Sequence, residues 1–215
     1  MISINQLTFN HFGVNSYLLY NEESRQCAIV DPGMEASYED AQLFQLVNSK
    51  GLTPTLILLT HAHVDHICGL HQTADRYKLP VTMHRDGAKL LRQAEAYGGI
   101  MGFYNIPDFS DLTFNYVDDG TLLPLGDDTI ECRHTPGHCV GSLCFVLHNE
   151  KSIITGDTLF QGSIGRTDLP GGNYRTLIES IHSRLLPLPD DYKVLPGHGP
   201  SSTLGDERAY NPFIN

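Results

Sequence analysis

The stretch THAHVDH at residues 60–66 is the most informative part of the sequence. His61 and His63 are two residues apart, so in an extended chain their imidazoles point to the same side and can reach one metal ion. Asp65 and His66 lie where a helix is predicted to begin, and they can reach a second ion. Imidazole and carboxylate are ligands that zinc, iron and manganese accept. The stretch therefore predicts a metal site.

Three further residues share a common setting with this stretch. His138, Asp157 and His198 each stand beside a glycine, just past a short predicted strand. Glycine lets the backbone turn sharply and approach other groups closely. Loops at the ends of four strands would then deliver all the ligands to one place, as expected for a site built on a rigid scaffold.

The remaining histidines lack this setting and are interpreted as surface residues or satisfied core residues. They are His11, His71, His84, His148 and His182. His134 is ambiguous because it lies so near His138 along the chain.

The pattern of apolar residues predicts strands throughout the chain. The predicted strands are Ser3–Phe9, Asn15–Tyr20, Gln26–Val30, Thr55–Leu59, Val81–His84, Leu112–Val117, Thr129–His134, Ser142–Leu147, Ser152–Thr155 and Lys193–Leu195. The predicted helices are one that Ser37 opens and Gly51 ends, then Ile67–Tyr77, Asp86–Tyr97 and Tyr174–Leu185. Asp40, three residues after Ser37, suggests a capping box for the first helix. Residues 98–111 are predicted to be irregular.

These elements favour two sheets covered by helices in a single α/β domain over residues 1–215. A hydrophobic content of 40% and a charged content of 18% are typical of a globular chain. The formal net charge of −11, without a basic run, argues against nucleic acid as a partner.

Five cysteines, an odd number without a C-x-x-C pair, argue against a disulfide framework and a zinc ribbon. We expect buried, reduced thiols and a cytoplasmic location. The first residues lack the pattern of a signal peptide, and no apolar run is long enough for a membrane span, so no membrane partner is expected.

The residues quoted so far resemble the metallo-β-lactamase superfamily, from the Asp31-Pro32-Gly33 turn almost to the end of the chain. The string Gly156-Asp157-Thr158-Leu159-Phe160 and the string Gly165-Arg166-Thr167-Asp168 are similar to the glyoxalase II, or hydroxyacylglutathione hydrolase, branch. So is the stretch from Gly205 to Phe213.

The resemblance implies an αβ/βα sandwich of two mixed β-sheets flanked by helices. It implies two divalent metal ions, with zinc favoured and iron or manganese as alternatives. It assigns His61, His63 and His138 to the first ion and Asp65, His66 and His198 to the second, with Asp157 bridging both. It also places Arg166 at the family's basic, substrate-binding position, with a structural contact to Asp168 or a loop carbonyl as the alternative. Besides binding the second ion, Asp65 can accept a hydrogen bond from the attacking hydroxide and orient it, which would make it the catalytic residue.

The resemblance implies hydrolysis of a small-molecule thioester of the hydroxyacylglutathione type. Two features depart from that branch: the C-terminal helical domain that grips glutathione is not expected here, and Gly199 and Pro200 follow the last ligand instead of the usual tyrosine. A persulfide dioxygenase with one iron is the main alternative, because such enzymes share the fold and a Gly-Arg-Thr-Asp string. Phosphodiester hydrolysis on RNA and a non-catalytic binding role are less favoured. The oligomeric state stays open.

Overall fold

Two six-stranded mixed sheets form the centre of the computed structural model, which describes residues 1–104 and 106–214. Asn105, within the segment predicted to be irregular, lies outside the described residues. The first sheet contains β1 (Ile2–Phe9), β2 (Val14–Asn21), β3 (Gln26–Val30), β4 (Thr53–Leu58), β5 (Val81–His84) and β6 (Phe114–Val117), in that spatial order. The strands from β1 to β3 pair antiparallel through short turns, and those from β3 to β6 pair parallel.

The second sheet is formed by the later part of the chain. It contains β7 (Leu122–Leu125), β8 (Asp128–His134), β9 (Leu143–Leu147), β10 (Ser152–Gly156), β13 (Lys193–Pro196) and β14 (Ser202–Thr203). The spatial order is β14-β13-β10-β9-β8-β7, and only the β10–β13 pair is parallel. A separate hairpin joins β11 (Leu159–Phe160) to β12 (Ser163–Ile164).

Helices cover the outer faces of both sheets. They are α1 (Ser37–Ser49), α2 (Val64–Ile67), α3 (Leu70–Tyr77), α4 (Ala88–Leu91), α5 (Ala94–Ile100), α6 (Tyr174–Ser180) and α7 (Leu204–Tyr210). Helices between β3 and β6 are expected, because parallel strands need a crossover that antiparallel hairpins do not.

The core follows the alternation of side chains along each strand. Leu19, Val30 and Leu58 point inward and pack between the sheets with residues such as Phe145 and Ile154. Their neighbours in sequence point outward: Leu18 and Ile29 pack beneath α1, and Ile57 packs beneath α3. On the other side, Val146 and Ile153 pack beneath α6. The predicted αβ/βα sandwich of two mixed sheets is confirmed.

The predicted helix Ile67–Tyr77 is wrong in its continuity, because α2 and α3 are separate. The break falls at Gly69, whose backbone N–H donates to the carbonyl of Pro32 at 2.8 Å. A Cβ on Gly69 would lie 3.0 Å from the backbone oxygen of Pro32 and 2.7 Å from the terminal methyl of Met34, so glycine lets the two backbones approach without displacing either group. The predicted helix Asp86–Tyr97 is likewise divided, with a 3₁₀ turn before α4 and a break before α5. The predicted helix Tyr174–Leu185 is α-helical as far as Ser180, in α6, and its last part, Ile181–Leu185, is a π-helical turn.

The capping box predicted for α1 is wrong by one residue. Ala36 is the N-cap, and Glu39 rather than Asp40 reaches back, accepting from the N–H groups of Glu35 at 2.7 Å and Ala36 at 3.1 Å. Gly51 follows the helix with φ +60°, as predicted.

The sequence analysis missed β7, α7 and the two-residue strands β11, β12 and β14. Pro124 argues against a central strand, and β7 that contains it indeed forms the edge of the second sheet. Helix α7 is capped by Thr203, whose hydroxyl accepts from the N–H of Asp206 at 3.1 Å. That Thr-x-x-Asp spacing was a usable signal.

All five cysteines are free and buried, in agreement with the expectation of reduced thiols. Burial raises the pKa of the Cys27 thiol to about 12 and that of Cys144 to about 11, so they are not nucleophiles at neutral pH. Across residues 1–104 and 106–214, none of the helices combines the length and the apolar character that a membrane crossing needs.

Candidate metal centre

The seven residues singled out in the sequence come together where one end of the first sheet meets one end of the second. At this end the backbones of the two sheets are joined: the N–H of Leu143 donates to Thr60 O at 2.7 Å, and that of Asn15 donates to Gly197 O at 2.7 Å. The first sheet delivers His61 and His63 from the loop after β4, and Asp65 and His66 from α2. The second sheet delivers His138 after β8, Asp157 after β10 and His198 after β13.

Three imidazoles form the first ligand cluster, defined as His61, His63 and His138. The Nε2 atom of His138 lies 2.8 Å from Nδ1 of His63 and 3.3 Å from Nε2 of His61. A tetrahedral zinc ion with Zn–N bonds of about 2.0–2.1 Å separates its ligand nitrogens by about 3.3 Å. The three nitrogens are therefore spaced as ligands of one ion.

Asp65, His66 and His198 form the second ligand cluster. The Oδ2 atom of Asp65 lies 3.0 Å from Nε2 of His198 and 3.6 Å from Nε2 of His66. One carboxylate oxygen thus faces both imidazoles, which again is the arrangement of three ligands around one ion.

The carboxylate of Asp157 lies between the two clusters. Its Oδ2 is 3.7 Å from Nε2 of His138 in the first cluster and 3.7 Å from Nε2 of His198 in the second, and its Oδ1 is 3.4 Å from Nε2 of His66. A single side chain that faces both clusters can serve as a bridging ligand.

Unpaired polar atoms at the centre of the site test whether metal ions fit. Nε2 of His66 and Oδ1 of Asp157 are fully buried, and neither has a hydrogen-bond partner among the described residues. A buried polar atom without a partner costs free energy, so such atoms are rare unless an ion or water completes them. The His and Asp clusters fit a dimetal site.

The three imidazoles of the first ligand cluster are held in the neutral form, so each keeps a nitrogen lone pair that can bind a metal ion. Burial, reinforced by the neighbouring imidazoles, lowers the pKa of His61 well below its ordinary value. Burial and the nearby His138 lower the pKa of His63 to about 3, and burial also lowers the pKa of His138. All three are neutral near pH 7, the state that metal ligation requires.

The second cluster carries negative charge instead. Burial alone would lower the pKa of His66, but the carboxylates of Asp65, Asp157 and Asp31 raise it well above its ordinary value. Burial works against ionisation of Asp157, yet the imidazoles of His66 and His138 hold the pKa of that carboxyl below its ordinary value. Ionised carboxylates buried together favour a cation at their centre, which a metal ion supplies in place of the proton on His66.

Asp31 is the functional residue that the sequence analysis missed. It is buried, and its Oδ2 accepts from Nδ1 of His66 at 2.9 Å and from the hydroxyl of Thr60 at 2.5 Å, while Oδ1 accepts from the N–H of Thr60 at 2.7 Å. It is not itself a ligand of the centre; it orients His66 so that Nε2 faces inward, as a carboxylate behind a metal-bound histidine does. Asp31 adopts φ +47°, an uncommon conformation for a residue other than glycine.

Other ligands are oriented by groups that carry no sequence signal. Nδ1 of His61 lies 3.0 Å from the Thr60 hydroxyl, and Nδ1 of His138 donates to the backbone carbonyl of Arg166 at 2.8 Å. Nδ1 of His198 donates to the carbonyl of Phe12 at 3.3 Å. In each case the outer contact fixes the ring and leaves the other nitrogen for the centre.

The glycine beside each ligand has a steric reason. A Cβ on Gly197 would lie 2.3 Å from Oδ1 of Asp157, and one on Gly137 would lie 2.2 Å from the backbone N of Leu177. Gly137 also has φ +132°. These positions allow the backbone to pass closely behind the ligands, as expected from the sequence.

His134 and His84 lie apart from the two clusters. Their rings stack with centroids 3.9 Å apart and planes 8° apart, so their in-plane nitrogens point in parallel directions rather than toward one ion. Nε2 of His134 donates to the carbonyl of Val140 at 2.9 Å. His134 therefore supports the loop that carries His138.

Arg166 presents its side chain to solvent in this structure. Its guanidinium forms a two-pronged ion pair with Asp168, at 2.8 Å from Nε and 2.7 Å from Nη2. Its backbone carbonyl is the acceptor behind His138, so residue 166 stands directly behind the first ligand cluster.

Two layered mixed sheets with paired His and Asp clusters at one edge define a two-sheet sandwich protein whose clusters fit a dimetal site. The family model of the metallo-β-lactamase superfamily matches residues 10–198. The chain belongs to this superfamily of metallo-hydrolases.

Two relatives are similar over nearly their whole length. A probable metallo-hydrolase, YqgX of Bacillus subtilis, is 40% identical over 201 residues, covering 94% of this chain and 92% of the relative. The hydroxyacylglutathione hydrolase GloC of Haemophilus influenzae is 39% identical over 210 residues, covering 95% and 94%.

Solved structures agree with the fold. The B3 metallo-β-lactamase BLEG-1 matches with a TM-score of 0.89 and 34% identity, covering 99% of this chain and 100% of the other. TTHA1623 in a di-iron-bound form matches with a TM-score of 0.85 and 34% identity, covering 97% and 99%.

Proposed function

We propose that this protein is a thioester hydrolase acting on substrates of the hydroxyacylglutathione type. The observation that carries the proposal is the pair of ligand clusters sharing Asp157, a site suited to hydrolysis. The similarity to GloC, at 39% identity over most of both chains, supports this substrate class.

Two divalent ions, zinc by preference with iron or manganese as alternatives, would be held by the first ligand cluster and the second ligand cluster with Asp157 between them. When bound, such ions lower the pKa of a water molecule towards neutrality and polarise a carbonyl oxygen. Iron is a serious alternative, because the neighbour TTHA1623 is described in a di-iron-bound form.

Asp65 is the residue proposed to accept a hydrogen bond from the attacking water. Its carboxylate is buried; although burial opposes ionisation, the nearby His66 and His198 lower its pKa, so it is an anion at neutral pH. It can accept a hydrogen bond from the attacking water and orient the oxygen toward the thioester carbonyl. A thiolate with an ordinary pKa near 8.5 leaves without strong help from an acid, so no further acid is needed.

The experiment that tests this function compares three activities of one preparation of known metal content. We expect close to two ions per chain and release of free thiol from S-D-lactoylglutathione. Oxygen uptake with a glutathione persulfide, at one iron per chain and without thioester turnover, would instead identify a persulfide dioxygenase. Hydrolysis of a β-lactam in preference to the thioester would place the chain functionally with BLEG-1.

Arg166 is the residue proposed to bind a substrate carboxylate. The exposed pair with Asp168 is weak, since ion pairs of this kind contribute roughly 0–1 kcal/mol. A substrate carboxylate can therefore replace Asp168 on the guanidinium fork.

Arg166→Ala is expected to lower kcat/KM for a glutathione thioester about tenfold to a hundredfold, because a charge-assisted contact contributes roughly 1.5–3 kcal/mol. Metal content should not change, since His138 contacts only the backbone carbonyl of residue 166. Steady-state kinetics with a charged and an uncharged thioester provide the measurement. Asp168→Asn is the matched control, because it releases the guanidinium and should retain activity. Equal losses on both substrates would show that Arg166 has a structural role.

A further inference from the structure

The turn between β1 and β2, residues 10–13, contacts two members of the second ligand cluster. Asn10 reaches the backbone of Asp65, and the carbonyl of Phe12 accepts from His198. The sequence analysis gave this turn no role. Its contacts are of the kind that sets the position of metal ligands.

The first contact follows from the shortness of α2. In a longer helix, the carbonyl of Asp65 would accept from the N–H of Gly69, four residues on. Here the helix ends at Ile67, and the N–H of Gly69 donates to Pro32 instead. The amide Nδ2 of Asn10 takes its place, donating to the carbonyl of Asp65 at 2.9 Å and to that of Gly33 at 2.8 Å.

The amide group of Asn10 is held in one orientation. Its Oδ1 accepts from the N–H of Phe12 at 2.9 Å, so Nδ2 must face the two carbonyls. The backbone N–H of Asn10 donates at 2.8 Å to Glu39, a buried carboxylate at the start of α1. Asn10 has φ 53°, a conformation that asparagine tolerates better than most residues.

The second contact continues from the same amide. Oδ1 of Asn10 holds the peptide that precedes Phe12, and the carbonyl of Asn10 accepts from the N–H of Gly13 at 3.1 Å, which holds the next peptide. Together these two contacts keep the carbonyl of Phe12 in place for Nδ1 of His198. The other nitrogen of that ring then faces Oδ2 of Asp65 at 3.0 Å. One side chain thus links two ligands that come from different sheets.

The first ligand cluster has separate supports. His61 contacts the hydroxyl of Thr60, and His138 contacts the carbonyl of Arg166, neither of which belongs to the turn. We infer that Asn10 is a positioning residue that sets the metal affinity of the second ligand cluster and leaves that of the first unchanged. This inference rests on the proposed two-metal site, and it does not depend on the substrate.

The test is a calorimetric titration of zinc into metal-free protein, with no substrate present. Asn10→Gly removes the Nδ2 donor group and the Oδ1 acceptor of the side chain, and it permits the same positive φ. We expect the wild-type chain to take up two ions, and the variant to bind the first with unchanged affinity and the second about tenfold to a hundredfold more weakly.

Arg25→Gly is the matched control. Arg25 also has a positive φ, at 61°, but it lies in the turn at the opposite end of β2. Replacing Arg25 with glycine should change the backbone freedom of the chain in the same way as Asn10→Gly, but it should leave metal binding unchanged. Circular dichroism and thermal melting in chelator report whether each variant folds. Asn10→Ser serves if Asn10→Gly does not fold: a serine hydroxyl can still accept from the Phe12 amide but is shorter than the asparagine amide that reaches Asp65.

Two results would overturn the inference in distinguishable ways. Uptake of only one ion by the wild-type chain would remove the two-metal site and the inference with it. Two ions in the wild type and unchanged affinities in a folded variant would refute the role of Asn10 alone, leaving the proposed function standing.

Discussion

Asp65→Asn is expected to reduce kcat by about 10²–10⁴-fold while the protein remains folded. The amide is close in size to the carboxylate, but it is neutral and cannot hold the attacking water as an anion does. The carboxylate oxygen that faces both His66 and His198 also loses its charge, so the second ion should bind more weakly. Thioester kinetics should therefore be measured with metal in excess.

Asp75→Asn is a suitable control for the same chemical change. Asp75 is an exposed residue on α3 whose carboxylate pairs with Lys78, so its replacement should alter neither activity nor metal content. If Asp65→Asn recovered nearly full activity once metal was supplied, Asp65 would be a ligand only, and another group would orient the water. A large loss of activity at full metal occupancy supports the proposed role.

Asp31→Ala is expected to lower the free energy of unfolding by about 3–5 kcal/mol. The variant leaves the imidazole of His66 and both donors of Thr60 buried without their acceptor. It also places alanine at φ +47°, which adds strain. For a chain of this size, the melting temperature should fall by roughly 6–20 °C.

Thermal or urea unfolding in the presence of chelator measures this effect apart from metal binding. Asp31→Asn separates the contribution of the Thr60 contact from that of the His66 contact. The amide oxygen can still accept from the N–H of Thr60, whereas the NH₂ group cannot accept from His66. We expect an intermediate loss of stability. A loss below about 1 kcal/mol for Asp31→Ala would show that the buried contacts rearrange, and that Asp31 does not hold His66 in place.

The sequence predicted the convergence of the seven candidate ligands better than it predicted the elements around them. The spacing of His61, His63, Asp65 and His66 fixes their relative directions locally, so a sequence motif is enough to recognise them. The turn geometry around His138, Asp157 and His198 is also local, because each follows a strand and stands beside a glycine. Their convergence depends only on the strand ends lying at the same end of the sandwich.

The supporting contacts could not be predicted in this way. Asp31 acts on His66 from 35 positions away, and the carbonyls of Arg166 and Phe12 act through backbone atoms that every residue possesses. The break between α2 and α3 has the same origin, since it depends on Gly69 packing against Pro32 and Met34. Such contacts belong to the folded arrangement rather than to any local pattern.

The origin of the ligands in two different sheets has a mechanical consequence. In each cluster, two ligands precede β6 and the third follows β8. An ion bound there would therefore cross-link the two sheets, which come from the two halves of the chain. Affinity for metal then includes the free energy of holding those halves in register, because ligands on one sheet alone do not complete a site. A substitution in the core between the sheets, at Leu58 or Phe145 for example, can therefore lower the affinity for metal although the residue does not contact the ion. In this architecture, the affinity for metal therefore reports how well the two sheets pack against each other.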